Sequence, residues 1–336
     1  MTAVPICRVA YTLVDVTVHV ETEQPMVLSY LDEFYTRGAS TAPGWTVRAR
    51  IAPGAADMRR NRFGVGVRAN PKGRVVEIAA PTLKDLAIVT RKCLREVMVA
   101  RCESAGFTML HASAIARPGR VVVFAADKRA GKTTLALRAA LEHGWRYLSN
   151  DHLIVFPDHD DLVLTSLPTL LPVKVGTLLD VEHLLPAKPI DDRGLDLDWW
   201  RFRSRENRYA TDAGVYYTYG RLGQDNPIAV RLNSGAARPE LVVVFPSYAS
   251  SAGIVGPPES VADGWRELVR HIRVDWVFDP GLNQRYLPRQ QRDPERFAHD
   301  GQELCRQLAR RARFLCWQHR GDPAPLLRAL AEEGDR

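Results

Sequence analysis

One stretch of the chain, residues 119–156, constrains the fold more than any other. Residues 121–124 form a continuous apolar run, the pattern of a strand buried on both faces. A turn follows, and Gly131-Lys132-Thr133-Thr134 then opens a helix that ends at Gly144. Strand, loop, GK[ST] and helix is the order found in phosphate-binding loops. The alternative, a chance strand-turn-helix, is disfavoured because both flanks fit the motif.

The predicted nucleotide-binding residues are those of the loop and the start of its helix: Ala126, Asp127, Lys128, Arg129, Ala130, Gly131, Lys132, Thr133 and Thr134. Gly131 lets the backbone approach an anion, Lys132 can reach the β- and γ-phosphates, and the Thr133 hydroxyl can ligate Mg²⁺. Ala126 stands where the motif G-x-x-x-x-G-K-[ST] has its first glycine. If the loop needs a positive φ there, alanine weakens nucleotide binding.

A second predicted strand, residues 146–149, ends in Asn150-Asp151-His152. A carboxylate at a strand end beside a phosphate loop suits a Mg²⁺ ligand or a general base. Asp151 is therefore predicted to fill one of these roles, with a plain turn as the alternative. Thr133 and Asp151 are the predicted metal ligands. The acidic run at 158–161 is interpreted as a solvated hairpin tip and not as a metal cluster.

His111 belongs to a predicted strand over residues 109–116. Pro118-Gly119 forms a tight turn into the strand that carries the loop, so the two strands are expected to form a hairpin. This arrangement would place His111 beside the nucleotide site. From the residues alone, the alternative is that this histidine has only a structural role in the strand.

Length and composition bound the remaining possibilities. A chain of 336 residues predicts a main domain and a smaller one. No apolar run approaches the ~18 residues that cross a bilayer, and the start lacks the pattern of a secretory signal. The 5 cysteines show no C-x-x-C spacing, which indicates reduced thiols in a cytoplasmic protein. The net charge of +7 comes almost wholly from arginine, and the basic residues are scattered apart from 201–208 and 306–313. Neither cluster interleaves aromatic residues as single-strand binders do, so nucleic-acid binding is disfavoured. No membrane partner is predicted.

The predicted domains are a β-rich docking or scaffold domain over 1–81 and a nucleotide-binding domain over 82–336. In the first, residues 8–20 are predicted as a strand and 70–73 as a hairpin turn. Residues 82–103 are predicted to form an amphipathic helix that begins the second domain. Towards the C-terminus, the pattern predicts a strand over 241–245 closed by Pro246 and helices over 265–273, 300–315 and 324–332. Residues 180–213 are expected to form a long loop or lid.

With these motifs placed, the middle of the chain resembles the catalytic domain of HPr kinase/phosphorylase and its relatives, including kinase-like proteins of ribosomal peptide pathways. Three segments carry the resemblance: Leu110-His111-Ala112-Ser113-Ala114, the loop at 126–133, and Asn150-Asp151. Their order and close spacing are more specific than any one of them. The likeness is clear over about residues 105–180 and faint beyond.

This resemblance implies an α/β fold with a P-loop nucleotide-binding domain of the HPr kinase/phosphoenolpyruvate carboxykinase type and a small β-rich N-terminal domain. It implies ATP- and Mg²⁺-dependent phosphate transfer to a Ser/Thr hydroxyl of a small protein or precursor peptide. Carried over by position, Lys132 and Thr133 hold phosphates and metal, Asp151 lies at the base or metal position, and His111 lines the phosphate site. His111, Lys132 and Asp151 are thus the predicted catalytic residues. The family also suggests a homo-oligomer.

Three positions depart from the family pattern. Ala126 and Arg129 replace frequent loop glycines, and Asn150 replaces the first of two aspartates. Two other functions therefore stay open: a nucleotide-binding regulatory or docking module without turnover, and a small-molecule kinase. The family's C-terminal signature is not evident, so HPr itself is not the predicted acceptor.

Overall fold

The computed structural model describes residues 5–38, 44–53, 57–61, 64–233, 238–249, 255–256, 260–279, 285–288 and 292–334. The fold is mixed α/β and divides into two compact units. The first unit comprises the described residues of Met1–Gly106, Asp225–Ile228 and Asp275–Asp293. The second comprises those of Phe107–Gln224, Ala229–Val274 and Pro294–Arg336.

A six-stranded sheet forms the first unit, in the order β1-β2-β3-β6-β5-β4. Its elements are β1 (Cys7–Leu13), β2 (Val16–Thr22), α1 (Pro25–Asp32), β3 (Trp45–Ile51), β4 (Arg59–Arg60), β5 (Gly66–Asn70), β6 (Val75–Ala80) and α2 (Leu83–Ser104). The segment predicted as one strand over 8–20 is in fact the hairpin of β1 and β2. Val14 turns the chain there with a φ of 62°. The predicted turn at 70–73 joins β5 to β6 and is confirmed.

Helix α2 closes one face of this sheet. The Thr82 hydroxyl caps its start by accepting the Asp85 N–H over 3.1 Å. The Tyr35 hydroxyl donates to the Arg91 carbonyl over 2.7 Å, and Leu86, Val89 and other apolar residues of the helix are buried. The predicted helix over 82–103 is thus present, but it belongs to the first compact unit. The division observed here therefore differs from the predicted boundary at 81/82.

The remaining elements belong to the second unit, except that α8 (Val274–Phe278) continues from Asp275 onwards into the first unit. They are β7 (Thr108–Leu110), β8 (Ala112–Arg117), β9 (Arg120–Ala125), α3 (Lys132–His143), β10 (Arg146–Ser149), β11 (Leu153–Asp158), β12 (Asp161–Ser166), β13 (Leu171–Lys174), α4 (Val175–Val181), α5 (Leu197–Arg201), α6 (Arg205–Ala210), β14 (Gly214–Tyr217), β15 (Ala229–Arg231), β16 (Glu240–Tyr248), β17 (Val255–Gly256), α7 (Val261–Val269), α8 (Val274–Phe278), α9 (Pro294–Ala309), β18 (Ala312–His319) and α10 (Ala324–Gly334). Two 3₁₀ turns, Glu182–Leu184 and Gly220–Leu222, lie between them.

The main sheet of the second unit has the strand order β10-β8-β9-β16-β18-β17. Its centre is parallel: Val122 lies opposite Val242, and Val243 lies opposite Phe314. The carboxyl ends of β9, β16 and β18 consequently meet at one edge. The β8–β9 hairpin is antiparallel, as predicted. A four-stranded sheet (β15-β12-β11-β7) and a two-stranded sheet (β13-β14) complete the unit.

The apolar runs of the parallel strands account for the core of this unit. Val122 and Phe124 of β9, Val242 and Val244 of β16, and Trp317 of β18 are at most 2% exposed. They belong to one cluster with the apolar side chains of α3, β13, β14 and α10. Strands buried on both faces need such continuous hydrophobic sequence, which is why β9 and β16 are evident from the sequence.

Two C-terminal predictions are wrong. The helix predicted over 300–315 ends at Ala309, and residues 312–319 form β18, in which buried Phe314, Trp317 and His319 point into the protein. Pro246 also does not close its strand. Pairing of β16 with β9 ends at Val244, so the missing N–H of Pro246 leaves no gap in that ladder.

Segment 180–213, predicted as a loop or lid, contains the short helices α5 and α6. The acidic run at 158–161 is the turn between β11 and β12, with Asp158 paired to Arg231 over 2.6 Å. All 5 cysteines are free thiols. Among the residues described, no helix is long and apolar enough to cross a membrane.

Candidate functional site

The 126–133 loop connects the carboxyl end of β9 to α3. Gly131 caps the helix with a φ of 83°, and no side chain bonds to the first N–H groups from the cap position. These N–H groups lack intrahelical acceptors and carry the positive end of the helix dipole, which favours an anion. Ala126 is not one of the described residues with positive φ, whereas Arg129 has a φ of 74°. The left-handed positions in the loop are therefore 129 and 131, and not 126.

Lys132 is folded back into the loop. Its Nζ donates to the carbonyl oxygens of Ala126 over 2.7 Å and Asp127 over 3.0 Å, and the residue is only 5% exposed. Burial lowers the pKa of Lys132 to about 8, against the opposing attraction of Asp151 and Asp127. The loop therefore holds one desolvated ammonium group at the helix N-terminus, where the negative charge of a phosphate would be stabilised.

Thr133 lies on the side of the loop that faces β10. Its hydroxyl donates to Asn150 Oδ1 over 2.9 Å, and the same oxygen accepts the Tyr147 hydroxyl over 2.8 Å. The Asn150 backbone carbonyl accepts the Ser113 hydroxyl. The side-chain oxygen of Asn150 is thus fixed beside the Thr133 hydroxyl.

Asp151 lies next to this pair and faces His111. The His111 Nε2 and Asp151 Oδ1 atoms are 3.9 Å apart, with the two side chains 26% and 32% exposed. Burial raises the pKa of the Asp151 carboxyl above its usual value, while Lys132, Arg273 and Lys174 oppose the rise. A carboxylate whose pKa is raised is a better proton acceptor than an ordinary aspartate.

His111 is positioned by a break between two sheets. The strand predicted over 109–116 is divided at His111, because β7 pairs with β11 while β8 pairs with β9 and β10. The His111 N–H donates to the His271 carbonyl over 2.7 Å. His111 is therefore held by its backbone at a junction, with its side chain directed to Asp151.

The predicted loop residues do not all face the same way. Thr134 is 6% exposed, and its hydroxyl bonds to that of Thr177 over 2.6 Å, so it packs against α4. The Ala130 carbonyl bonds to His319 over 2.9 Å. Lys128 and Arg129 are exposed. Of the predicted loop residues, Lys132 bonds to carbonyl oxygens of the loop itself and Thr133 bonds to Asn150 at the end of β10.

Several residues of the site were not predicted from the sequence. Asp212 forms ion pairs with three basic side chains. Its carboxylate lies 2.6 Å from Lys174, 3.5 Å from Lys128 and 4.0 Å from Arg129. The hydrogen bond from Lys174 lowers the pKa of Asp212. These residues come from separate segments that only the fold brings together.

A group of possible metal ligands, Glu142, His143 and Asp322, occurs elsewhere in the second unit. Arg138 occupies it, because its guanidinium pairs with Glu142 over 2.7 Å and lies 3.9 Å from Asp322. This group is an ion-pair network, and it involves none of the predicted site residues.

No protein-family model matches this chain, and no curated protein sequence matches it either.

Proposed function

We propose that the chain is an ATP- and Mg²⁺-dependent phosphotransferase that acts on a Ser/Thr hydroxyl of a small protein or peptide, with a P-loop domain of the HPr kinase/phosphoenolpyruvate carboxykinase type. The observation that carries this proposal is the convergence of Lys132, Thr133 and Asp151 at the N-terminus of α3. One buried cation, one hydroxyl next to a fixed amide oxygen, and one basic carboxylate are what phosphoryl transfer requires.

The donor set fits Mg²⁺. This ion is usually held by one or two protein oxygens together with substrate phosphates and water. The Thr133 hydroxyl and the Asn150 amide oxygen 2.9 Å from it would supply those oxygens, which leaves Asp151 free to act as the base. When bound, Mg²⁺ would offset the negative charge of the nucleotide phosphates.

The protein's own groups have distinct roles in the proposed reaction. The acceptor oxygen bonds to the γ-phosphorus, the bond from that phosphorus to the bridging oxygen breaks, and ADP leaves. Asp151 takes the proton of the acceptor hydroxyl, and His111, 3.9 Å away, orients the carboxylate. Lys132 exchanges its two bonds to loop carbonyls for bonds to phosphate oxygens and so stabilises the charge that develops there.

A second candidate function rests on Asn150. Its amide is neutral where phosphotransferases of this type use a carboxylate, so the chain would bind nucleotide and regulate or dock a partner without turnover. Binding of ATP without phosphate transfer to any acceptor would favour this alternative.

The test is ATP turnover with Mg²⁺ for the wild type, Lys132→Ala and Lys188→Ala, with mass spectrometry of a panel of Ser/Thr peptides. Lys188 is an exposed lysine of the same unit and serves as the matched control. We expect turnover to fall by about 10²-fold or more in Lys132→Ala and to be unchanged in Lys188→Ala. Equal turnover in the wild type and Lys132→Ala would refute the role of the loop.

A further inference from the structure

His319, the last residue of β18, packs against the backbone of the 126–133 loop. It is 1% exposed, and both ring nitrogens have backbone partners. Nδ1 accepts the Gly321 N–H over 2.9 Å, and Nε2 lies 2.9 Å from the Ala130 carbonyl oxygen. Because Nδ1 accepts, the proton of the neutral ring is on Nε2, which donates to Ala130. Burial lowers the pKa of His319, which keeps the ring neutral near pH 7.

The same ring lies against Gly131. A Cβ atom added to Gly131 would be 2.6 Å from His319 Cε1 and 3.1 Å from Nε2. The rings of Trp317 and Tyr248 lie beside His319, with centroids 5.0 Å and 5.9 Å away. The imidazole is thus fixed on one side by aromatic packing and on the other by the backbone of the loop.

We infer that His319 is a positioning residue that fixes the peptide between Ala130 and Gly131 for anion binding. A trans peptide directs its C=O and N–H to opposite sides. With the Ala130 carbonyl held by His319, the Gly131 N–H faces away from the ring, on the side where the phosphate binds. The β18 strand therefore contributes to the site from its carboxyl end, as is usual where ligands bind at the ends of parallel strands. The anion in this inference is the nucleotide of the proposed function.

Hydrogen exchange of the ligand-free protein, followed by mass spectrometry, tests the inference. His319→Phe keeps a ring of similar size without nitrogens, and His319→Gln retains an amide N–H near the Nε2 position. We expect exchange over residues 126–135 to be about tenfold faster in His319→Phe and close to the wild-type rate in His319→Gln. The β11–β12 hairpin of the same unit should exchange at the wild-type rate in both. His319→Leu replaces the phenylalanine variant if that variant does not fold.

Unchanged exchange of the loop, equal acceleration in the hairpin, or failure of glutamine to restore the rate would each overturn the inference. Added Mg·ATP separates it from the proposed function. If ATP protects no residue of the wild type, the proposed nucleotide site is wrong, while the ligand-free comparison still decides the role of His319. If ATP binds, we expect its Kd to rise about tenfold in His319→Phe and little in His319→Gln.

Discussion

The hydroxyl of Thr133 and the amide oxygen of Asn150 are joined by a hydrogen bond of 2.9 Å across the gap between the loop and β10. Asn150 is 5% exposed, and Tyr147 fixes the same oxygen from the other side over 2.8 Å. Both bonds are accepted by this one oxygen. A carboxylate of the same shape would keep both bonds, so the site differs from one with aspartate mainly in charge.

We expect Asn150→Asp to bind Mg·ATP with a half-saturating Mg²⁺ concentration about tenfold lower than the wild type, because a carboxylate is a stronger Mg²⁺ ligand than an amide. Without Mg²⁺, the buried charge should lower the free energy of unfolding by roughly 2–4 kcal/mol. Binding of Mg²⁺ and nucleotide should restore the free energy of unfolding. Nucleotide binding at several Mg²⁺ concentrations and urea unfolding measure the two effects.

Asn150→Ala is the control, since it removes both accepted hydrogen bonds without adding charge. It should lose stability at all Mg²⁺ concentrations and gain no Mg²⁺ affinity. An unchanged Mg²⁺ requirement in Asn150→Asp would show that Asn150 does not border the metal site.

ATP affinity should depend on the charge of Lys132. The pKa of Lys132 is lowered to about 8, so its positive charge is complete well below pH 8 and is lost as the pH rises above it. The Mg·ATP complex keeps the same charge over this range, so the loss of the lysine charge should weaken its binding about tenfold between pH 7 and pH 9. Binding at pH 9 should also take up a proton, which calorimetry in buffers of different ionisation enthalpy detects.

Lys132→Arg provides the comparison for this pH dependence, because a guanidinium stays charged up to pH 12. The affinity of this variant for ATP is expected to be lower than that of the wild type at pH 7 but constant between pH 7 and pH 9. A wild-type affinity that is equally flat would contradict a lowered pKa of Lys132.

The two replaced loop glycines should respond in opposite directions when glycine is restored. Arg129 has a φ of 74°, a backbone angle that is strained for any residue other than glycine. Arg129→Gly should therefore raise the free energy of unfolding by about 0.5–1 kcal/mol. Ala126 is buried without a positive φ, so Ala126→Gly should lower it by about 0.5–1 kcal/mol. Urea unfolding of both variants measures this difference. A stabilised Ala126→Gly would contradict the backbone conformation described here.

The predictions that the structure confirms were made from local sequence patterns. The apolar run of β9 and the periodicity of α2 depend on neighbouring residues, and both elements are present. The strand β18 was missed because the basic residues at 306–313 contain no breaker that would end a helix. His319, Lys174 and Asp212 were missed because no spacing relates them to residues 126–133; only the parallel pairing of β9, β16 and β18 and the path of segment 180–213 bring them to the loop.

Asp212 should weaken anion binding at the loop, because its carboxylate offsets part of the positive charge of Lys174, Lys128 and Arg129. We expect Asp212→Asn to bind ATP or pyrophosphate about two- to fivefold more tightly than the wild type at low salt. The carboxylate is exposed, so the gain should disappear near 0.5 M salt, where charges on a surface are screened within a few ångströms. Asp198→Asn makes the same change of charge at an exposed site paired with Arg201 instead, and it should leave affinity unchanged. If Asp212→Asn and Asp198→Asn bind pyrophosphate equally well at low salt, the three cations do not contribute to the anion site.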